Sequence, residues 1–448
     1  MNTNLTEGKI FGTLLRLALP IAGVQVMNMA YNITDMFWLG RVSSYALAAS
    51  GVAGLFLWMA VGLLLIGRVG AEIGVSQARG RGEIGVAYKY SRTALYISAV
   101  LGTVYALFVI IFSVHLIGFF NFQEAHVAAD AVNYLSIIVV GTPAVFMASS
   151  IDGTFLASGN SKTPFIIGSG GVIFNMILTP LFIFGLDLGV IGAAASSVIA
   201  QYSVLFVRLW AVKYSKNRPF EEYKFVSGIR KSYCSETVRH IFKLTWPICL
   251  ENTLFPLLTM IITRFEVSFG AFAVSMGRVV TQVESLSWLV GAGFGASITA
   301  FVGQNFGAGK MDRVEKSVKY SFCFMAFWGL MVMGVLWFGG EIIFATFFPE
   351  YLNQPEKQRN FITILRIVSF SQIFINLEFA AANAFRGKGR TLPPSVINIV
   401  SNVIRVPMAY FLSITFLGLF GIWVAASFAA ILRGAAGFIW YKADSRRH

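Results

Sequence analysis

Gln25, Asn28, Asn32 and Asp35 follow one another at spacings of three, four and three residues, and Tyr31 stands four residues before Asp35. On an α-helix these spacings gather the side chains toward one face. All five lie in an apolar run near 13–40, long enough to cross a bilayer. An ionised carboxylate in such a run is costly unless it is paired, protonated or beside a water-filled cavity. Asp35 therefore reads as a cation site, where a carboxyl exchanges a proton or its oxygens hold Na⁺. The polar stripe should face protein or water, not lipid. The competing reading is an Asp held permanently by neighbouring helices.

Further oxygens lie in later runs. Asn175 and Thr179 stand at i and i+4, with Pro180 next, and Ser196 and Ser197 follow Gly192. Proline removes a backbone donor and can kink the helix, baring carbonyls to an ion. Asn175, Thr179 and Ser197 are candidate partners of Asp35, and packing by small residues is the structural alternative. The second half holds Glu251, Arg278, Glu284, Glu378 and Arg405 inside apolar runs. Opposite charges in neighbouring helices suggest a buried ion-pair network, structural in role more than transporting. Arg68 and Glu72, at i and i+4, read as a local pair. Pro20, Pro180 and Pro247 are hinge candidates, and Gly291, Gly293 and Gly295 loosen their helix.

The elements that must position these groups are membrane helices. Of 448 residues, 56% are hydrophobic and 12% charged, against about 25% charged in soluble domains. Apolar runs fall near 13–40, 45–76, 92–119, 129–158, 163–186, 189–213, 240–264, 270–305, 316–348, 360–386, 392–416 and 418–441, which makes twelve. Numbering the loops alternately puts Lys9, Arg16, Arg79, Arg81, Lys89, Arg92, Lys162, Lys213, Lys243, Lys310, Arg313, Arg386, Lys388, Arg390 and Lys442 on one side. The other side has chiefly Arg41, Arg264, Lys357 and Arg359, with Asp187, Glu266 and Glu356 among them. That bias puts both termini in the cytoplasm, as an even helix count requires. Met1–Lys9 is polar and the first run is too long for a cleavable signal, so the run is expected to stay in the membrane.

The net charge of +14 follows from these loops. A nucleic-acid partner would need a basic soluble face, and no soluble domain is visible. Cys234, Cys249 and Cys323 form no CxxC, and the four histidines form no HExxH. No paired aspartates or Ser/His dyad suggests an intramembrane enzyme, and nothing resembles a selectivity filter. No cofactor is expected beyond a transported H⁺ or Na⁺.

The chain also repeats itself. At an offset of 227, Leu17, Pro20, Val75, Gln77, Gly80 and Gly82 match Leu244, Pro247, Val302, Gln304, Gly307 and Gly309. Later, Gly159 and Pro164 match Gly389 and Pro394 at 230, and Gly189 and Gly192 match Gly418 and Gly421 at 229. The expected organisation is an N-lobe at 1–213, a cytoplasmic linker at 214–239 and a C-lobe at 240–448. Parallel repeats around a cavity are a transporter architecture. Asp35 falls opposite Ile262, so the stripe is not a device common to both repeats.

Three segments carry a resemblance. They are Leu19-Pro20 followed by Tyr31-Asn32-Ile33-Thr34-Asp35-Met36-Phe37-Trp38, Val302-Gly303-Gln304-Asn305-Phe306-Gly307-Ala308-Gly309, and Gly159-Asn160-Ser161-Lys162-Thr163-Pro164. Together they resemble MATE (multidrug and toxic compound extrusion) transporters, in particular the DinF-like branch. The resemblance covers nearly the whole chain. It implies an all-α membrane protein of twelve helices, in two pseudo-symmetric six-helix lobes around a V-shaped cleft. It implies a plasma-membrane antiporter, monomeric by default, that exports amphipathic, often cationic organic compounds by alternating access, driven by H⁺ or Na⁺. Asp35 then matches the essential first-helix aspartate of the DinF-like and archaeal branch, and Asn175 its helix-five asparagine. Thr179 stands where that branch has a second carboxylate, and Ser197 where it has a threonine, which weakens the match to a Na⁺ site at Asp35 and Asn175. Glu251 is similar to the helix-seven glutamate of NorM-like members, but its spacing from Pro247 differs, so that cation site is not carried over. The nearest rival is a lipid-linked saccharide flippase of the same superfamily, which would need a cationic cavity that Arg278 and Arg405 could supply. Phe37, Trp38, Trp58 and Trp288 could line a drug cavity, though such aromatics more often face lipid or core.

Overall fold

Helix is the only regular structure among the described residues, as lipid demands of a chain that must satisfy its own backbone polar groups. The computed structural model describes residues 5–42, 44–120, 125–221 and 235–445. Cys234 and half of the expected 214–239 linker, residues 222–234, lie outside them. In chain order the α-helices are α1 (Ile10–Val42), α2 (Ser44–Gly80), α3 (Ile84–Gly118), α4 (Ala125–Ile138), α5 (Thr142–Ala157), α6 (Lys162–Pro180), α7 (Gly189–Tyr214) and α8 (Ser235–Val267). They continue with α9 (Ala271–Gly307), α10 (Met311–Phe338), α11 (Gly340–Phe347), α12 (Pro355–Ser369), α13 (Ser371–Gly387), α14 (Leu392–Ser413) and α15 (Leu419–Ser445).

Among the described residues twelve spans are long and apolar enough to cross a membrane, as the twelve sequence runs predict. Two are built from a pair of α-helices, α4 with α5 and α12 with α13, and a third continues α6 through a π-turn to Gly185. The first break has a local cause. Pro143 cannot donate to the carbonyl of Val139, and the Thr142 hydroxyl donates to it instead at 2.8 Å. The ninth run, near 316–348, is divided into α10 and α11 at Gly339.

Helix ends carry the repeat in their backbone. Gly82 and Gly309 have φ of 78° and 71°, and Gly159 and Gly389 have φ of 79° and 76°. Each sits in a helix stop where an amide bonds back five residues: Glu83 to Ala78, Lys310 to Asn305, Asn160 to Phe155 and Arg390 to Phe385, all at 2.9–3.0 Å. This is the Schellman stop, whose left-handed residue favours glycine. Sequence-matched glycines therefore end matched helices in the same way.

The described chain divides into two compact units, Met1–Thr253 with Gly303–Lys310, and Leu254–Val302 with Met311–His448. Within the first, Leu39, Val109, Ile117, Leu135, Ile138 and Ile183 share one apolar core. Within the second, Val280, Leu336, Phe344, Phe361 and Leu365 do so. In lipid, helices gain little from the hydrophobic effect and depend on close packing at small residues. At Gly153 on α5, an added Cβ would lie 2.4 Å from the Arg68 carbonyl oxygen of α2. Gly153→Ala is expected to lower stability by about 1–3 kcal/mol through overpacking. Thermal unfolding in detergent checks this, and an unchanged midpoint would refute so close an approach.

Candidate functional site

The site in the first unit is assembled by α1, α4, α6 and α7. Tyr31 and Asp35 are one turn apart on α1 and both half-buried. The Tyr31 hydroxyl lies 3.1 Å from Ser197 Oγ on α7. Asn175 Nδ2 on α6 donates to the same oxygen at 3.2 Å. Thr179 Oγ1 donates to the Asn175 carbonyl at 2.9 Å and lies 3.3 Å from Asn175 Oδ1 and 3.1 Å from Ser196 Oγ. Asn175 and Ser197 are only 4% and 1% exposed, so this network faces protein, not lipid. The structure brings Tyr31, Asn175, Thr179 and Ser197 into one chain of hydrogen bonds spanning three helices.

Asp35 stands beside that chain. Its Oδ1 is buried and has no hydrogen-bond partner among the described residues. Its charge acts on the phenols of Tyr31 and of Tyr134, a buried residue of α4. The surrounding groups are neutral hydroxyls and amides. No group of three His, Cys, Asp or Glu able to hold a metal ion occurs among the described residues. The arrangement offers one carboxylate to one monovalent cation, with neutral oxygens nearby. Tyr134 carried no signal in the sequence, where it is one more aromatic in an apolar run.

The rest of the α1 stripe lies apart from this network. Asn28 and Asn32 are exposed, Gln25 is half-buried, and Asn28 Nδ2 is 3.4 Å from Gln25 Oε1. Helices α1 and α8 run through Pro20 and Pro247 without a break. Pro180 does change the geometry: α6 ends there and a π-turn, Leu181–Gly185, follows. Of the aromatics, Trp38 packs into the core with its ring 6.0 Å from that of Phe184, whereas Phe37, Trp58 and Trp288 are exposed.

Ser197→Ala would leave Asn175 Nδ2 without its acceptor and Tyr31 without its partner. A buried donor left unsatisfied costs about 1–3 kcal/mol. A fall in the detergent melting midpoint of matching size is expected, and no change would mean these bonds contribute nothing to stability.

Polar groups in the second unit also interlock. Gln372 Nε2 donates to Glu284 Oε1 at 2.8 Å, Ser287 Oγ donates to Gln372 Oε1 at 2.8 Å, and Asn376 Nδ2 donates to Ser287 Oγ at 3.1 Å. Glu378 pairs with Arg433 at 3.3 Å and accepts from Asn398 Nδ2 at 2.9 Å, while Arg433 donates to Asn402 Oδ1 at 2.9 Å. Arg405 lies in the field of Glu284, Glu266 and Arg433. The first unit has a comparable pair, Asp152 with Arg208 at 2.8 Å. In each unit an acid of the span's second segment, α5 or α13, thus holds an arginine of α7 or α15.

Three expectations need correction. Arg278 is exposed; it precedes Glu284 by six residues, which turns it to another face of α9 at 3.6 residues per turn. Glu251 is half-buried and belongs to the first unit, not with the second-half charges. Glu266, expected in an outer loop, is buried near the end of α8, because the helix outlasts its apolar run. The missing side chain at Gly277 makes room for it: Glu266 Oε2 is 3.0 Å from where a Cβ would stand. Arg433, Asp152 and Arg208 were visible as charges in apolar runs. Gln372 with Asn376, and Asn398 with Asn402, were visible as amides at i and i+4.

The MatE family profile matches residues 20–181 and again 247–411. The chain belongs to the MatE family. The two matches begin 227 residues apart and end 230 apart, the offsets of the internal repeat. A Thermotoga maritima protein named probable multidrug resistance protein NorM is 24% identical over 96% of this chain and 91% of its own length. The Bacillus subtilis probable multidrug resistance protein YoeA is 26% identical over 96% and 94%. The Staphylococcus aureus multidrug export protein MepA is 22% identical over 93% and 90%. A crystal structure described as MATE in the bent conformation matches with a TM-score of 0.91 at 18% identity, over 100% of this chain and 98% of that one. An outward-facing multidrug resistance MATE family transporter of the MOP superfamily matches at 0.90 and 18%, over 100% and 99%. These likenesses show the fold. The family makes this MATE protein an integral membrane efflux transporter of small molecules.

Proposed function

We propose that this MATE transporter exports amphipathic, often cationic organic compounds in exchange for H⁺, with Asp35 as the coupling carboxylate. The observation that carries the reading is the buried Asp35 Oδ1, which has no hydrogen-bond partner among the described residues, one turn from Tyr31 and its chain of neutral donors and acceptors. A lone carboxylate in such surroundings is balanced by one proton. Na⁺ is the alternative cargo, with Asn175, Thr179 and Ser197 as further oxygens; Thr179 brings no second negative charge to hold it.

In the mechanism, the cation binds Asp35 from outside and favours a state in which the N-lobe cavity collapses and drug leaves. It departs inward when the site faces the cytoplasm, so the two states must differ in affinity for it. The Pro180 turn, one residue beyond Thr179, is the hinge that couples the site to helix geometry. The loop charges support placing both termini in the cytoplasm; a monomer in the plasma membrane is what the resemblance to the family implies. The names given to the relatives support drug export over the flippase reading. In the second unit, Arg405 is offset by Glu266 and Glu284, which weakens the cationic cavity that a flippase would need.

The test is uptake of a fluorescent organic cation into proteoliposomes, with a pH gradient and a Na⁺ gradient imposed separately. Transport driven by the pH gradient alone is expected. Transport on Na⁺ alone would replace the ion. Transport on neither, with folded protein, would move the case to lipid-linked substrates.

A further inference from the structure

We propose that Phe272 and Tyr351, backed by Phe348, form an aromatic cage for a quaternary ammonium ion on the outer side of the second unit, and that the ammonium of Lys357 is its resident occupant. The proposal rests on the reading above for the outer placement of these loops and for organic cations as the ligand class. It adds a site for such a cation that does not involve Asp35.

The cage is built from one end of the unit's core. Phe272 stands at the start of α9, and Tyr351 ends the turn Pro349–Tyr351 between α11 and α12. Their ring centroids are 4.8 Å apart. Phe348 closes the back, its centroid 5.3 Å from that of Phe272 and 6.5 Å from that of Tyr351. Phe348 in turn is buried against Phe344 and Phe361, which have no exposed surface. The walls are therefore held by packing and need no ligand to form. Lys357 reaches between them, its Nζ 3.9 Å from the Tyr351 ring centroid and 4.6 Å from that of Phe272. Both distances fall inside the ~6 Å over which a ring face attracts a cation.

Lys357 is weakly held there. It lies in the first turn of α12, where the helix dipole disfavours a positive charge. It has no ion pair among the described residues, and it is only half-buried. Its ammonium carries N–H donors that ring faces satisfy poorly, and its flexible stem lets it swing out to water, where it is strongly hydrated. A quaternary ammonium ion has no N–H to leave unsatisfied between apolar faces. Its methyl groups carry the charge to the rings, and it is the ligand that aromatic cages select. The alkylammonium already in the cage thus stands in for the ligand, and competition from it keeps the affinity of the native chain low.

The experiment uses the full-length protein in detergent, with choline as the probe and saturation-transfer NMR as the readout of binding. Lys357→Ala empties the cage and is expected to tighten choline binding at least about tenfold. Adding Tyr351→Leu to that variant is expected to cancel the gain. Unchanged affinity in Lys357→Ala, or a gain that survives Tyr351→Leu, would overturn the cage. The neutral analogue of choline, with carbon in place of nitrogen, should compete poorly; equal competition would show an apolar pocket indifferent to charge and would also overturn it. A second measurement needs no variant. Choline that displaces Lys357 frees its amine, so acetylation of Lys357, read by peptide mass spectrometry, should quicken several-fold over a control with equal NaCl. An unchanged rate at the choline concentration that saturates the NMR signal would sink the proposal. Neither readout uses transport. Choline binding in a protein that transports on neither gradient would keep the cage and remove the coupling reading, and loss of the cage with export intact would do the reverse.

Discussion

Asp35→Asn is expected to lower gradient-driven export at least about a hundredfold while leaving the protein folded. An amide at this position neither takes up a proton nor offers a negative charge to Na⁺. The coupling ion then has no differential affinity for the two states, and a ligand without one shifts no equilibrium however high its concentration. Stability should be unchanged or slightly higher, because the substitution removes a buried charge whose Oδ1 has no hydrogen-bond partner among the described residues. The two readouts separate a coupling residue from a packing one. Uptake under each gradient, beside a detergent melting curve, is the measurement. Export at the wild-type rate by the folded Asn variant would end the assignment. A large loss of stability would instead make Asp35 a structural anchor.

Glu378→Ala should give the largest stability effect in the second unit. It would leave the Arg433 guanidinium, only 6% exposed, without its carboxylate, and Asn398 Nδ2 without an acceptor. Removing one partner of a buried pair costs about 3–5 kcal/mol, because the other charge stays buried. Removing both is far milder, so the double variant Glu378→Ala with Arg433→Met should recover much of the loss. Melting midpoints of the two single variants and the double form a cycle that isolates the pair. Purely additive losses would show that the pair does not interact. Such a result would also weaken the reading of the comparable Asp152–Arg208 pair in the first unit.

How far the sequence reached differs between the two units. In the first, spacing alone picked out Asp35, because a carboxylate in an apolar run is too costly to be incidental. The i, i+4 pair of Asn175 and Thr179 was legible for the same reason. In the second, the charged residues were visible but their partners were not. Glu284 accepts a hydrogen bond from Gln372, 88 residues away, and lies in the field of Arg405. Arg278 is exposed although it shares an apolar run with Glu284. A charge in an apolar run signals that something must satisfy it, and the identity of the partner depends on which helix packs alongside.

What the sequence determined by itself is the local and the periodic. Twelve apolar runs, the repeat at offsets of 227 to 230 and the glycines that stop matched helices are written in residue order, because bilayer thickness and backbone sterics act on short stretches. What only the tertiary structure decided is convergence. Tyr31 and Ser197 are 166 residues apart and share a hydrogen bond, Leu5 and Asn305 are 300 apart and share another, and Tyr134 lies in the field of Asp35. No helical period encodes such meetings; they follow from which faces pack together once the helices have formed.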